Sequence, residues 1–191
     1  MPRPMSTAVE KQNGRSSATP DGPAGGGSRI VAPPGSLDEL VGAHPDALRK
    51  MYRNGRPADP AELGDHPRGR ILAIEAAGDL FLMIRPIVRA LATDAFPWKG
   101  KVFDHGGNAG QNVVLGKPML RFRTELGPSE VDGKPTLVLL YDSDAFKNPW
   151  PVRAIRDELR SIGPRIAIGP AYITLPSGGR RCLLWFGLAG T

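Results

Sequence analysis

The polar residues at the end of one apolar strand could carry acid–base chemistry. Tyr141 and Asp142 end the apolar strand predicted for Pro135–Asp142, and Asp144 follows two residues later. Carboxylates at a strand terminus can act as general acid and general base. Aspartates in such a place also form turns and helix caps, so both interpretations are open. The candidate catalytic residues are Tyr141, Asp142 and Arg121.

Arg121 belongs to a segment in which apolar and polar residues alternate. In Lys117–Leu126, Phe122 faces one way while Arg121 and Arg123 face the other. If Phe122 points into a barrel, the arginines lie on the surface, because an unpaired buried arginine is very costly. A polar or anionic ligand inside the barrel would reverse this arrangement, and the sequence leaves both alternatives open.

The segment Trp98–Lys101 combines an aromatic residue with two lysines at a helix-to-strand junction. The ring of Trp98 either closes the end of a sheet or lines the mouth of a pocket, and the lysines are either solvated or contact an anionic group. The candidate ligand contacts are Trp98, Lys101, Phe122, Tyr141, Tyr172 and Trp185.

Several common catalytic and binding motifs are missing. The three histidines, His44, His66 and His105, have no partner at metal-ligand spacing, and Cys182 is the only cysteine. The glycine-rich segment 106–110 lacks the Lys-Ser/Thr of a phosphate-binding loop, and a turn that needs positive φ explains its glycines. There is no Gly-x-Ser-x-Gly elbow. We therefore predict no metal and no cofactor.

Short helices and longer strands must position these residues. Ser36 and Glu39 form a capping box, and two short helices are predicted within 37–53. Helical spacing of apolar residues predicts further helices at Asp79–Leu91 and from Pro149 to Ile162, the latter with Asp157 and Glu158 solvated. The predicted strands are Arg68–Glu75, Lys101–Asp104, Gln111–Leu115, Lys117–Leu126, Pro135–Asp142, Arg165–Leu175 and Arg181–Ala189.

Consecutive strands joined by short turns favour antiparallel pairing. We therefore predict an α+β, β-rich fold, either an antiparallel calycin- or lipocalin-like barrel or a strongly curved sheet with flanking helices. Residues 1–35 are rich in Pro, Gly and Ser and are predicted to be a disordered tail. Residues 36–191 are predicted to form a single domain with helices at its amino-terminal end.

The chain also resembles a group of uncharacterised bacterial proteins, the lipocalin-like GXWXG-motif family. That family has a W-x-G-K-x-F segment, which Trp98–Phe103 matches, and an apolar strand that ends in Tyr-Asp, as Leu139–Asp142 does. Later elements with counterparts here are a helix from Pro149, Ile168-Gly169 and Leu184–Phe186. The name-giving motif itself is absent, since only its first glycine is matched, at Gly69. The resemblance implies a calycin-like barrel and no particular activity.

Charge and hydropathy exclude some classes of partner. The net charge of +6 is scattered, and no basic stripe interleaved with aromatic residues is present, so we predict no nucleic-acid partner. The longest apolar run, Leu80–Leu91, is broken by Arg85, Pro86 and Arg89 and is too short to span a bilayer. We predict a cytoplasmic protein without a transmembrane segment. The oligomeric state is left open.

Three functions fit these observations. The first is binding of a small hydrophobic molecule, lipid- or polyketide-like, in a barrel cavity that the helix at 37–53 caps. The second is a cofactor-independent cyclase or isomerase that uses the same cavity. The third is an interaction module whose basic tail docks a partner or an anionic membrane. We favour the first slightly over the second and place the third last.

Overall fold

The computed structural model describes residues 34–75 and 98–190 of the chain. The described part contains two α-helices, α1 (Pro45–Asn54) and α2 (Pro60–Leu63), besides three single turns of 3-10 helix. The nine strands of these ranges are β1 (Arg56–Pro57), β2 (Arg68–Ile74), β3 (Trp98–Phe103), β4 (Ala109–Val114), β5 (Lys117–Pro128), β6 (Pro135–Leu140), β7 (Ile155–Gly163), β8 (Ile166–Thr174) and β9 (Arg180–Ala189).

Strands β2 to β9 form a closed antiparallel barrel. Each strand pairs with the next in the chain from β2 to β9, and β9 pairs with β2 to complete the ring. The two-residue strand β1 lies outside this ring and pairs with the end of β7. The predicted β-rich, calycin-like barrel with flanking helices is therefore confirmed, and it is closed rather than an open curved sheet. The pairing of β2 with β3 is the shortest in the ring, with Arg68 and Gly100 as its one register pair.

The helix predicted from Pro149 to Ile162 is wrong. Only Val152–Ala154 is helical, as one 3-10 turn, and β7 follows at once. Side chains alternate across β7, so that Asp157 points into the barrel and Glu158 points out. Both carboxylates were expected to be solvated, yet they are 5% and 0% exposed. Apart from Arg156, whose Nε lies 3.1 Å from the Glu158 carboxylate, their buried partners come from distant parts of the chain, which the local spacing of apolar residues does not reveal.

Helix α1 packs against the outer wall of the barrel. Leu48 and Tyr52 of α1 are completely buried, and the Tyr52 ring meets the Trp185 ring edge to face at 5.7 Å. The Tyr52 hydroxyl group lies 2.9 Å from the Glu158 carboxylate and 2.8 Å from the Thr136 hydroxyl group. The segment 37–53 was expected to cap the cavity. It covers the wall instead, because its apolar and hydroxyl partners all lie on outward-facing positions of the strands.

A bidentate ion pair holds the β5–β6 turn against this wall. The guanidinium of Arg160, which is 1% exposed, donates to both carboxylate oxygens of Asp132 at 2.8 Å and stacks over the Tyr52 ring. Hydrogen bonds from Arg160 are the main cause that lowers the pKa of Asp132. The pair therefore stabilises the fold above the ordinary Asp pKa of about 4, and this contribution disappears as the pH falls through the lower folded-state pKa.

Replacing Asp132 with asparagine is expected to lower the free energy of unfolding by about 2 kcal/mol at pH 7. The difference from the wild type should shrink below about pH 4, where the carboxylate becomes protonated. Urea denaturation at a series of pH values measures both effects. The control is Asp144→Asn, which removes the ion pair of Asp144 with Arg153. The Asp144 side chain is 90% exposed, so this variant should change stability by less than about 0.5 kcal/mol. A constant difference between pH 3 and pH 7 would contradict the assignment.

Two sequence predictions concern residues outside the described ranges. The helix at Asp79–Leu91 and almost all of the tail at 1–35 belong to this part of the chain. Within 34–75 and 98–190, neither helix has the length and apolar character that crossing a membrane requires.

Candidate functional site

An ion pair spans the interior of the barrel. The ammonium group of Lys101 in β3 donates to Oδ2 of Asp157 in β7 at 2.8 Å, and these side chains are 1% and 8% exposed. Counted around the ring in either direction, β3 and β7 are four strands apart. The pair therefore connects opposite walls of the barrel through its centre.

Neutral polar groups complete a hydrogen-bond network around this pair. Nζ of Lys101 also donates to Oη of Tyr141 at 2.8 Å and to Oδ1 of Asn112 at 2.9 Å, so its three donors have three acceptors. Tyr141 donates to Asp157 at 2.7 Å and accepts from Asn112 at 3.1 Å. The indole N–H of Trp98 donates to the Asn112 oxygen at 2.9 Å. In the described part of the chain, no buried side-chain polar atom lacks a partner.

Aromatic rings enclose the ammonium group. Nζ of Lys101 lies 5.0 Å from the ring centre of Phe122, 5.2 Å from that of Phe186, 5.5 Å from that of Tyr141 and 5.8 Å from that of Trp98. Cation–π attraction from such rings partly replaces the lost hydration of the cation. Burial nevertheless lowers the pKa of Lys101, and burial together with the charge of Asp157 raises the pKa of Tyr141 well above its ordinary value.

A cleft of about 450 Å³ opens at the barrel end formed by α2 and the β3–β4 loop. Its apolar floor includes Ala58, Phe103 and Leu137, which are 3–6% exposed. The loop turns at Gly107, whose φ of 64° fits the turn predicted for this glycine-rich segment. The cleft therefore has an apolar floor and a rim that contains Gly106 and Gly107.

The rim of the cleft is polar and acidic. Its carboxylates are those of Asp59, Asp65, Asp104 and Glu125, and His105 lies beside them. The described residues that line the cleft include no lysine or arginine. Arg123, just outside the lining, pairs with Glu125, so the three aspartates supply the unpaired negative charge of the rim, which repels an anion and attracts a cation.

One aromatic layer separates the cleft from the interior network. The rings of Phe103 and Phe122 meet edge to face at 5.7 Å, and Phe122 meets Tyr141 at the same distance. Phe103 lines the cleft, while Phe122 and Tyr141 contact Lys101. A molecule in the cleft would rest on the same aromatic cluster that encloses the ion pair, without touching the ion pair itself.

The structure brings together four of the residues singled out from the sequence. Trp98, Lys101, Phe122 and Tyr141 all belong to the interior cluster, but they lie beneath the cleft rather than along it. Phe122 points inward and is fully buried, whereas Arg121 is exposed and lies over the Phe146 ring. Of the two alternatives for β5, the one with Phe122 inside the barrel and Arg121 on the surface is therefore correct.

The other candidates lie elsewhere. Trp185 is on the outer wall under α1, where its indole N–H donates to Glu75 at 2.6 Å. Tyr172 also faces outward, because its neighbours Ala171 and Ile173 point into the barrel. The side chain of Asp142 is 58% exposed and pairs with Arg123 on the surface. None of these three side chains reaches the cleft or the interior network.

Sequence reasoning missed Asn112, Asp157 and most of the cleft. Asp157 was assigned to a helix, and Asn112 was only an unremarked polar residue in a predicted strand. His105 and the glycine-rich loop were noted, and both line the cleft. If 155–163 had been predicted as a strand, alternation of side chains would have placed Asp157 on the same face as the apolar residue Leu159 and so inside the barrel.

Comparisons with known proteins support the fold alone. No protein-family model matches the chain, and no curated protein shows significant similarity to it. Among solved structures, it is similar to a crystal structure of a protein from Thermomonospora curvata, with a TM-score of 0.52 and 15% sequence identity over 81% of this chain and 93% of that chain. In the described part of the chain, no group of three His, Cys, Asp or Glu side chains is placed to hold a metal ion.

Proposed function

We propose that the barrel binds a small, predominantly apolar molecule in the cleft between α2 and the β3–β4 loop. The observation that carries the proposal is the apolar floor of this cleft, formed by the inward-facing barrel residues Phe103 and Leu137 together with Ala58 from the segment before α2. Its volume of about 450 Å³ is within the range of about 300–1,000 Å³ that is usual for small-molecule sites.

The chemistry of the cleft limits the ligand class. Contact with Phe103, Leu137 and Leu126 favours an apolar or aromatic body. The acidic rim disfavours a carboxylate or phosphate, because the carboxylates of Asp59, Asp65 and Asp104 would repel it, whereas the fourth rim carboxylate, Glu125, is paired with Arg123. The expected ligand is therefore neutral or cationic, with an apolar part that rests on Phe103.

Catalysis in the same barrel has weaker support. The pair of Lys101 and Tyr141 offers polar groups in apolar surroundings, which a cofactor-independent isomerase or cyclase requires. Contact with a reactant is the other requirement. All three donors of Lys101 are occupied, and the Phe103–Phe122 layer lies between Lys101 and the cleft. Ligand binding is the function that this geometry favours.

Filling the cleft tests the proposal. Ala61 is an exposed residue of α2 that lines the cleft, and its replacement with tryptophan is expected to weaken binding of the neutral probe N-phenyl-1-naphthylamine at least tenfold by occupying the site. The matched control is Ala47→Trp, which adds the same ring to an exposed position of α1 away from the cleft and should leave binding unchanged. Fluorescence titration of the full chain measures both affinities.

Native mass spectrometry of protein purified from its own host identifies the natural ligand. A co-purified molecule that is retained by Ala47→Trp and lost from Ala61→Trp would support the proposed site, and its mass would define the ligand class. Equal retention by both variants would place the ligand elsewhere. Absence of a co-purified molecule, together with no saturable binding of the neutral probe, would overturn the proposal.

A further inference from the structure

Exposed apolar side chains gather at the barrel end opposite the cleft. Leu115 in the β4–β5 turn is 74% exposed, Trp150 in the β6–β7 connection is 64% exposed, and Met119 at the start of β5 is 38% exposed. Side chains of this size are seldom so exposed in neighbouring loops unless they contact something.

Strand direction places these residues at one end. β4 begins at Ala109, beside the cleft, and ends at Val114, so the turn that follows lies about 17 Å from the cleft end at the usual rise of about 3.3 Å per residue. The β6–β7 connection also leaves β6 away from the cleft, because β6 is antiparallel to β5, and it begins beside Arg123, six residues along β5 from Lys117. The side-chain amide of Asn148 donates to the carbonyl oxygen of Arg121 at 2.7 Å and holds this connection against β5.

Exposed lysines occur in the same loops and strand ends. Lys99, Lys117 and Lys147 are all exposed, at the start of β3, at the start of β5 and in the β6–β7 connection. Of the two carboxylates of that connection, Asp144 is paired with Arg153, whereas Asp142 lies 3.7 Å from Nε of Arg123, which also pairs with Glu125, so these carboxylates offset the lysines only in part. This barrel end therefore presents apolar tips within a cationic border.

We propose that this end of the barrel docks on the surface of an anionic lipid bilayer. Trp and Leu side chains at loop tips fit the boundary between head groups and acyl chains, and lysines beside them are attracted to anionic lipids. A second copy of the chain fits less well, since a symmetric contact through these loops would bring the same lysines together. Docking in this way leaves the cleft on the aqueous side.

Vesicle binding of the full chain tests the proposal. The chain is expected to sediment with phosphatidylglycerol-containing vesicles and not with vesicles of phosphatidylcholine alone, and binding should weaken with added salt. Leu115→Asp combined with Trp150→Asp, and separately Lys117→Glu combined with Lys147→Glu, should each reduce binding about tenfold or more. The matched control is Val41→Asp, a 54% exposed apolar residue outside these loops, which should bind like the wild type.

A second measurement does not depend on the variants. Trp150 is 64% exposed, whereas Trp98 is half-buried with its indole N–H bonded to Asn112 and Trp185 is buried, so quenching of fluorescence by brominated acyl chains is expected in the wild type and should be mostly lost in Trp150→Phe. Equal binding to both kinds of vesicle, no binding at all, or an undiminished affinity of the loop variants would overturn the proposal. A concentration-dependent dimer that Leu115→Asp abolishes would identify a second copy as the occupant and overturn it as well.

Discussion

Replacing Lys101 with methionine is expected to lower the free energy of unfolding by about 3–5 kcal/mol. Methionine nearly conserves the volume of the side chain, so the loss arises mainly from electrostatics. Without the ammonium group, the Asp157 carboxylate is left buried, with the Tyr141 hydroxyl group as its remaining partner in the network. Urea denaturation at pH 7 measures the effect. The control is Lys117→Met, which removes an exposed lysine of β5 and should change stability by no more than about 0.5 kcal/mol.

Replacing Asp157 with asparagine should be less damaging at high pH than at neutral pH. Burial already lowers the pKa of Lys101, and removing the carboxylate lowers it further, because Asp157 raises that pKa in the wild type. A lysine whose folded-state pKa lies below its unfolded-state value of about 10.4 releases a proton on folding. The stability of this variant should therefore rise as the pH increases from 7 towards 10, and a flat or falling profile would contradict the burial of the lysine.

A double-mutant cycle separates the ion pair from its surroundings. The double variant Lys101→Met/Asp157→Asn should lose clearly less stability than the sum of the two single variants, with a coupling energy of about 2 kcal/mol or more. The reason is that each single variant leaves one unpaired charge in the interior, whereas the double variant leaves none. Strict additivity would show that the two residues do not act as a pair. The Lys101–Asp157 contact would then contribute little to the position of β3 relative to β7.

Most of the barrel was predictable because each strand has its own local pattern. The alternation in Lys117–Leu126 and the apolar run in Pro135–Asp142 correspond to β5 and β6. The segment 155–163 was not predictable in this way. Its apolar residues have helical spacing, whereas its polar residues point to both faces of the barrel wall and find partners on β3, on α1 and in the β5–β6 turn. Contacts with distant parts of the chain therefore determine the strand conformation of 155–163, and no short stretch of the sequence contains that information.

The candidate site was likewise predicted only in part. Trp98, Lys101, Phe122 and Tyr141 were predicted as ligand contacts together with Tyr172 and Trp185, because aromatic and cationic residues stood out from their surroundings, but the packing of the first four into one buried cluster was not predicted. The common centre of this cluster is the ammonium group of Lys101, and only ring closure brings its partner Asp157 in β7 opposite β3. The cleft was missed for a related reason: its wall is made by α2, whose residues carry no chemical signal, and by a loop whose glycines indicated only a turn.

Among the described glycines, Gly169 is the position where a single added methyl group should do most harm. Gly169 in β8 faces the backbone of β7 so closely that an added Cβ would overlap the carbonyl oxygen of Glu158 and lie 3.2 Å from Cα of Leu159. Backbone atoms cannot move aside as the end of a flexible side chain can. Gly169→Ala is therefore expected to separate β7 from β8 locally and to lower the free energy of unfolding by about 4 kcal/mol or more.

Denaturation measures the loss, and hydrogen exchange locates it. Amide protons of β7 and β8 should lose protection in Gly169→Ala, while those of the β5–β6 pair should keep most of theirs. The matched control is Gly179→Ala in the β8–β9 turn, where an added Cβ meets nothing within 4 Å and stability should change by less than about 0.5 kcal/mol. If Gly169→Ala were as stable as this control, β7 and β8 could not lie as close as the barrel requires. The Lys101–Asp157 pair would then lose its fixed geometry, because β7 carries Asp157 and depends on β8 for its position in the ring.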